Sequence, residues 1–422
     1  MKTVILKRLQ LKDWKSKNID IDFSTNITNI SGKNEIGKSS LQQAWNWLLT
    51  SYTTPNSVRN EELFDNKFPL SPDTPTASVK AWLDIDGTEY TIERSATAKF
   101  KRPRGQVEYV KDSSDVYVIK IDDIEVSATS FNDWLENVFC PIAVLPFVLD
   151  GAFFTALAEC DKKKARKMLE DMVGDISAEH LSGDYSSIKV RLDKYGIQQL
   201  KEQVASQGRP IKKRMDIIPA IIKSKTPVLM QFETLDNKTD LLAKIEELSA
   251  RLKDDFSTDI LSEIISTAKT YGLVEWVESE KEGIRQLQQE QKELASQLAA
   301  YEGDMAKINE YCEEVAMVVE QRINEKMPHC SVCMHTIQVN GDKVPDCVLT
   351  DKTGVRYATL SNSARLRINL AVQDLFRKYY GVNTITWVDE ASVFDSEHLP
   401  QCEGQTCYMF ASDSETLMVE CK

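Results

Sequence analysis

No stretch of this sequence approaches the ~20 consecutive apolar residues that a bilayer-crossing helix needs, so a helical membrane protein is not expected. The opening run Met1-Lys2-Thr3-Val4-Ile5-Leu6-Lys7-Arg8 holds too few apolar residues to form the core of a secretory leader. Histidine is scarce, four in 422 residues, and no Ser-His-Asp grouping for nucleophilic catalysis emerges. Basic residues are outnumbered, 52 Lys and Arg against 65 Asp and Glu, for a net charge of -13. That balance argues against a surface coated with nucleic-acid-binding charge, and leaves DNA contact to local patches. Two such patches are present, Lys162 to Lys167 and Arg209 to Arg214, although charge runs of this kind are most often solvated faces. Nine cysteines, odd in number and scattered, make no disulfide framework and predict a reduced, cytoplasmic protein.

From about Lys194 to Met327 glycine and proline are sparse and Lys, Glu and Gln abundant. Within that region Ile284, Gln291, Leu298, Met305, Cys312 and Val319 recur at one heptad position. Leu287, Leu294, Tyr301, Ile308 and Val315 recur at the other. This 3–4 spacing is a coiled-coil seam. The weaker preceding series Leu241, Ile245, Leu248 and Leu252 is a candidate antiparallel partner. The expected organisation is therefore an N-terminal lobe over 1–190, a helical arm over 191–328 and a C-terminal lobe over 329–422. The two lobes together would make an α/β head.

The N-terminal lobe opens with a β-rich run from Asn26 to Ser31, a loop, and a helix whose face is Leu41, Ala44, Trp45 and Leu48. The loop reads Gly32-Lys33-Asn34-Glu35-Ile36-Gly37-Lys38-Ser39, a complete G-x-x-x-x-G-K-[ST] pattern followed by Ser40. Strand before and helix after is the context such a phosphate loop requires. Its glycines allow backbone N–H groups to approach a polyphosphate, and the helix adds its positive N-terminal end. Lys38 is assigned to the β- and γ-phosphates, and Ser39 to Mg²⁺. Residues 51–76 read as a surface excursion in which Arg59 is a weak nucleotide-facing candidate. The alternating stretch from Ala77 to Val126, with an Asp86-Gly87 turn, reads as an antiparallel sheet.

In the C-terminal lobe, Ser361 precedes a helix carrying Ile368, Ala371, Val372 and Leu375 on one face and stopping before Gly381. A buried strand then ends in Asp389-Glu390. Asp389 suits the Mg²⁺ shell, and Glu390 suits polarisation of an attacking water. Mg-ATP is the expected ligand, with Lys38 and Glu390 as the catalytic pair.

The two halves of this site lie at opposite ends of the chain with a coiled coil between them. That layout resembles the SMC, RecF, RecN and SbcC-like ABC-type ATPases. Leu360-Ser361-Asn362-Ser363-Ala364-Arg365 sits where that family carries its signature. The stretch from Gly354 to Val372 looks more like short-armed ATP-binding proteins often encoded by phages and prophages. The resemblance implies two heads sandwiching two ATP molecules, with Ser361 reaching the γ-phosphate bound to the partner head. It also implies that the loop Ala391 to Asp395 crosses the dimer interface. The family's Mg-contacting glutamine has no clear counterpart, with Asp150-Gly151 falling near its place; the signature glycines are replaced by Asn362 and Ser363, and the switch histidine of some relatives is missing near Ser412. These departures point to slow or partner-stimulated hydrolysis.

The implied role is ATP-driven action on DNA in recombination, repair or replication, with a separately encoded nuclease or recombinase as partner. The alternative is an ATP-gated scaffold of a defence or counter-defence system that binds a protein effector. The pair Cys330-Ser331-Val332-Cys333, near His329, His335 and Cys347, has zinc-ligand residue types. A single C-x-x-C with no matched second pair reads instead as buried strand residues, and the arm's apex, within 253–283, has no cysteine for a zinc hook.

Overall fold

The computed structural model describes residues 1–57, 63, 76–105, 110–111, 115–174, 176, 180–232, 237–255, 257–339, 343–395 and 397–422. Arg59 and most of the excursion around it lie outside these. The chain divides into two compact units, one formed by Met1–Ile176 with Ala316–Lys422 and the other by Ser177–Val315.

In chain order the first unit begins with β1 (Lys2–Trp14), β2 (Lys17–Asp22), β3 (Ile27–Gly32) and α1 (Lys38–Thr50). The strands β4 (Thr76–Ile85), β5 (Thr88–Thr97), β6 (Phe100–Lys101), β7 (Val110–Lys111), β8 (Val116–Ile121) and β9 (Ile124–Val126) follow. Four helices complete this half: α2 (Ala128–Val138), α3 (Leu145–Leu149), α4 (Ala152–Cys160) and α5 (Lys162–Val173). Strand alternation is visible in the burial of β4, where Ala77, Val79, Ala81, Leu83 and Ile85 face inward and their neighbours do not. The Asp86-Gly87 turn forms as expected. Both residues have positive φ, 49° and 88°, which matches the twist of a two-residue hairpin and pairs Ile85 with Thr88.

The second unit holds α6 (Ser186–Met230), α7 (Lys238–Asp254) and most of α8 (Thr258–Asn324). Every seam position from Ile284 to Val319 is buried or half-buried. The helix that opposes the seam is α6, not the Leu241–Leu252 series. Antiparallel ion pairs set the register: Arg191 with Asp304 at 2.7 Å, Arg214 with Glu290 at 2.8 Å, and Lys225 with Glu280. The Leu241–Leu252 series lies in α7 and pairs further out, through Lys238–Glu275 at 2.9 Å and Lys244–Glu263 at 3.0 Å. The expectation failed because α6 contains Pro210, Pro219 and Pro227 and a non-helical Gly196, which break its heptad pattern while packing keeps it helical. Ile308 of the seam packs with Tyr185, Ile188, Leu200 and Val204.

Returning to the first unit, the chain adds β10 (Cys330–Ile337), β11 (Lys343–Asp351), α9 (Asn362–Tyr380), β12 (Val382–Asn383), β13 (Thr386–Val388), β14 (Thr406–Ala411) and β15 (Met418–Cys421). One sheet runs β12-β1-β4-β5-β8-β9, with β2 also paired to β1. A second runs β13-β14-β3-β15, its first three strands parallel and β15 antiparallel. Strands from both ends of the chain thus interleave in both sheets. This is an α/β head with an antiparallel helical arm inserted in its sequence. Its core is large and aromatic: Trp14 lies 4.8 Å from Trp47 between ring centroids, and Phe147, Phe154 and Phe376 join α3, α4 and α9. Among the described residues no helix is long and apolar enough to cross a membrane.

Candidate nucleotide site

The phosphate loop leaves the C-terminal end of β3 and enters α1. It holds two left-handed residues, Glu35 at φ 69° and Gly37 at φ 113°. The φ of Gly37 favours glycine, and a Cβ there would also come within 2.9 Å of Ile19 Cδ1. Gly37 has no side chain to cap α1, and no acid sits in the first turn. The first amides of α1 and its positive end are therefore left to an anion, which is the cradle a polyphosphate needs.

The loop is braced from two sides. Lys17 of β2 donates to the Glu35 carbonyl at 2.8 Å. From the far end of the chain, the Lys33 amide donates to Ser414 O at 2.9 Å and the Lys33 ammonium pairs with Glu415 at 2.8 Å. Lys38 Nζ bends back over the loop and donates to the carbonyls of Gly32 at 2.6 Å and Lys33 at 2.7 Å. Asn34 and Ser39 are exposed beside it, and Ser40 is half-buried.

Asp389 and Glu390 leave the C-terminal end of β13, whose Thr386, Trp387 and Val388 are all buried. Register along the sheet aligns Val388 with Tyr408, and Tyr408 with Asn29. The two acids therefore emerge at the same edge as the phosphate loop, two strand spacings away, or roughly 10 Å. In open parallel sheets that edge is where ligands bind. Asp389 is half-buried and Glu390 exposed. Glu390 takes a left-handed conformation at φ 55° and donates its amide to Asp389 Oδ1 at 2.9 Å, which turns the chain sharply after the strand. The donor set fits a hard divalent cation, since Ser39 and Asp389 offer only oxygen.

Next to the acids lies a cleft of about 320 Å³ lined by Gln42, Asp150, Asn362, Arg365, Asp389 and Glu390 among others. Residues 32–40 do not line it; Gln42, one helical turn beyond Lys38, is its link to the phosphate-loop helix. Gln42 donates to Asp150 Oδ2 at 2.9 Å, and the Ala152 amide donates to Oδ1 at 2.9 Å. Burial pushes the Asp150 carboxyl above its usual range, while bonds from Ala152, Asn46 and Gln42 oppose that rise. Gln42 was not singled out from sequence, and Arg365 only as the end of the signature stretch. The i, i+4 spacing of Gln42 from Lys38 was the available signal.

Ser361 is the N-cap of α9. Its hydroxyl accepts from the Ala364 amide at a long 3.4 Å, lies 3.2 Å from the Ser363 hydroxyl, and remains exposed. Further along α9, Arg377 is buried and donates to Val148 O at 2.9 Å, Ile385 O at 2.8 Å and the Thr386 hydroxyl. Gln373 donates to Val148 O at 3.3 Å and to Leu149 O. One helix thus holds both the turn that presents Asp150 and the strand that presents Asp389.

Among proteins of known identity, the chain is 24% identical over 161 residues to the DNA double-strand break repair Rad50 ATPase of Archaeoglobus fulgidus. That match takes in 37% of this chain and 15% of the relative, so the chain spans well under half of that protein's length. Among solved structures it is similar to the Smc head domain with a coiled coil and joint from Pyrococcus yayanosii, at 14% identity and a TM-score of 0.44, covering 99% of this chain and 97% of that one. It is also similar to the recombination mediator protein RecF with ATP, at 12% identity and a TM-score of 0.39, covering 99% and 97%. Residues 8–325 match the family model described as AAA domain (AAA_23), and the chain belongs to that family.

Proposed function

We propose that this chain binds Mg-ATP at residues 32–40, dimerises head to head on it, hydrolyses it slowly and uses the cycle to act on DNA. The reading rests above all on one observation: the phosphate loop and the Asp389-Glu390 pair leave parallel strands at the same sheet edge, with a single strand between them. In this reading the loop amides and Lys38 hold the phosphates, while Ser39 and Asp389 hold Mg²⁺. Held there, the metal would neutralise phosphate charge. Glu390, exposed beyond the strand, orients and polarises the attacking water, and Ser361 reaches the nucleotide of the partner head. Asp150, near the place of the resembled family's Mg-contacting glutamine, contributes a carboxylate to the same cleft. A DNA role in recombination, repair or replication is supported by family membership and by the repair role that the Rad50 relative's name states.

The test is the solution mass of Glu390→Gln with and without Mg-ATP. An ATP-dependent shift from monomer to dimer that Ser361→Ala abolishes supports the split site. ATP binding without any mass shift would sink the head-to-head reading.

The charge balance favours a second reading, an ATP-gated scaffold for a protein effector. In the Lys162–Lys167 patch, Lys162 already pairs with Asp346 at 2.9 Å and Arg166 with Glu170 at 2.7 Å, which leaves less free positive charge for phosphates. DNA binding by the wild type that weakens steeply with salt, and weakens further on replacing Lys163, Lys164 and Lys167, favours the first reading. Indifference to those changes favours the second.

A further inference from the structure

The C-x-x-C pair cannot chelate as a pair. Cys330 and Cys333 lie three apart on β10, so they point to opposite faces. Cys330 is fully buried with Val332 and Met334, and its thiol rests on Met327 Sδ at 3.6 Å. Cys333 shares the other face with His335, two residues on. Across from that face stands Glu320, on the last turns of α8 and within the same compact unit.

We propose that Glu320, Cys333 and His335 form a binding site for a zinc-class divalent cation, separate from the nucleotide site. Their ligand atoms all lie within 4.8 Å of one another, and among the described residues this is the one such grouping of His, Cys and acidic side chains. His335 Nδ1 stands 3.5 Å from Glu320 Oε2. Two ligands of a tetrahedral zinc, each about 2.0–2.1 Å from the metal, are about 3.3 Å apart. The His335–Glu320 pair therefore needs to move by only tenths of an ångström, and the Cys333 thiol lies within 4.8 Å of both. Thiolate, imidazole and carboxylate together suit Zn²⁺ or Co²⁺ and not the harder Mg²⁺. Three protein ligands leave a fourth position for water.

The backbone around the trio is built to hold it. Pairing between β10 and β11 slips between Cys333 and His335, where Asp346 and Cys347 oppose the single residue Met334. That bulge re-aims the strand locally. The end of α8 is fixed to β10 on either side. Asn324 donates to Val332 O at 2.9 Å and accepts from its amide at 2.7 Å, and Glu320 Oε2 accepts from the Met334 amide at 2.8 Å. Both Glu320 and His335 are about one quarter exposed, at 25% and 27% of the side chain, so a cation has access. Asp346 is nearby but held by Lys162 at 2.9 Å. An ordinary His–Glu ion pair would explain two of the three residues, and the Cys333 thiol donates to the His335 carbonyl at 3.0 Å, a bond that ligation as thiolate would give up.

The experiment uses the full chain, stripped with chelator and titrated with Co²⁺ without nucleotide. Zinc content is measured separately after dialysis against Zn²⁺. The expected result is one equivalent of metal per chain and a thiolate-to-cobalt charge-transfer band. Both should be lost in Cys333→Ser and in His335→Gln and kept in Cys330→Ser. Wild-type protein that retains no zinc and shows no band overturns the proposal. So does a band that survives Cys333→Ser, because another thiol would then be the ligand. Circular dichroism of each variant separates lost metal from lost fold. In addition, Zn²⁺ should raise the Tm of the wild type and not that of Cys333→Ser.

Discussion

The carbonyl oxygen of Asn369 stands 1.9 Å from the point where a Cβ on Gly151 would be built. The backbone of α9 therefore touches the backbone of the α3–α4 turn with no side chain between them, one residue after Asp150. Gly151→Ala forces the two apart. It is expected to cost about 1–3 kcal/mol, as overpacking does, and to lower ATP turnover by displacing Asp150 and the signature helix together. Gly303→Ala is the control. It lies in α8 with open space around it, and should raise stability by up to about 1 kcal/mol because it only removes backbone freedom. Chemical denaturation of the two variants checks both signs.

Asp150 carries a pH signature. Its carboxyl is raised in the folded state, chiefly by burial, from a reference value of 3.8. A group raised in this way contributes stability that is complete below 3.8 and lost as pH rises through the folded value. At neutral pH the ionised carboxylate is then a net cost. Asp150→Asn should therefore raise the Tm of the nucleotide-free protein at neutral pH, and the gain should shrink as pH falls toward 3.8. A flipped Gln42 amide can supply the oxygen that the new side-chain amide needs. Thermal melts of both proteins across that range give the answer, and parallel curves would be the wrong outcome.

Arg377 has no carboxylate among its hydrogen-bond partners; its guanidinium instead serves Val148 O, Ile385 O and the Thr386 hydroxyl. Burial lowers its pKa to about 10. Arg377→Met removes the donor from Ile385 O and the Thr386 hydroxyl and leaves Val148 O only the Gln373 bond; at about 1–3 kcal/mol for each unserved group a loss of at least about 2 kcal/mol is expected. Arg377→Lys should recover less than half of it, because a single ammonium cannot match a planar fork reaching three acceptors. Urea midpoints of the two variants provide the comparison.

Cysteine reactivity should divide by burial. The thiols of Cys140, Cys330 and Cys347 are pushed up to about 12 by desolvation, and Cys402 to about 11. Cys160 and Cys421 are exposed. Iodoacetamide at about pH 8 should label those two first and reach Cys330 and Cys347 only after denaturation, since the thiolate is the reacting form. Peptide mass spectrometry reads the order directly. Early labelling of Cys330 would contradict its placement on the buried face of β10.

Much of the head was legible because its signals are local. The strand, loop and helix around Gly32–Ser40 announce themselves by glycine spacing and period. So do the Asp86-Gly87 hairpin and the helix from Ser361 to Gly381. The arm was legible in one direction only. The seam of α8 is an uninterrupted heptad, but its partner α6 carries three prolines and a non-helical Gly196 that interrupt any such repeat. The pairing of Gln42 with Asp150, 108 positions apart, leaves no local trace. Nor does the gathering of Glu320 with Cys333 and His335, because a shared strand face becomes visible only once β10 is known to be a strand.

The neighbours of β3 carry a consequence for synthesis. β3 ends in the phosphate loop, yet it is flanked by β14 and β15, which begin at Thr406 and Met418. On the ribosome the loop therefore emerges hundreds of residues before either strand that will hold it. Until then β3 is an open edge with unpaired backbone groups. Such long-range pairing folds slowly and exposes the nascent chain to aggregation. A nascent chain halted anywhere in the helical arm would therefore lack a working phosphate loop, although all of that loop's residues had already been made.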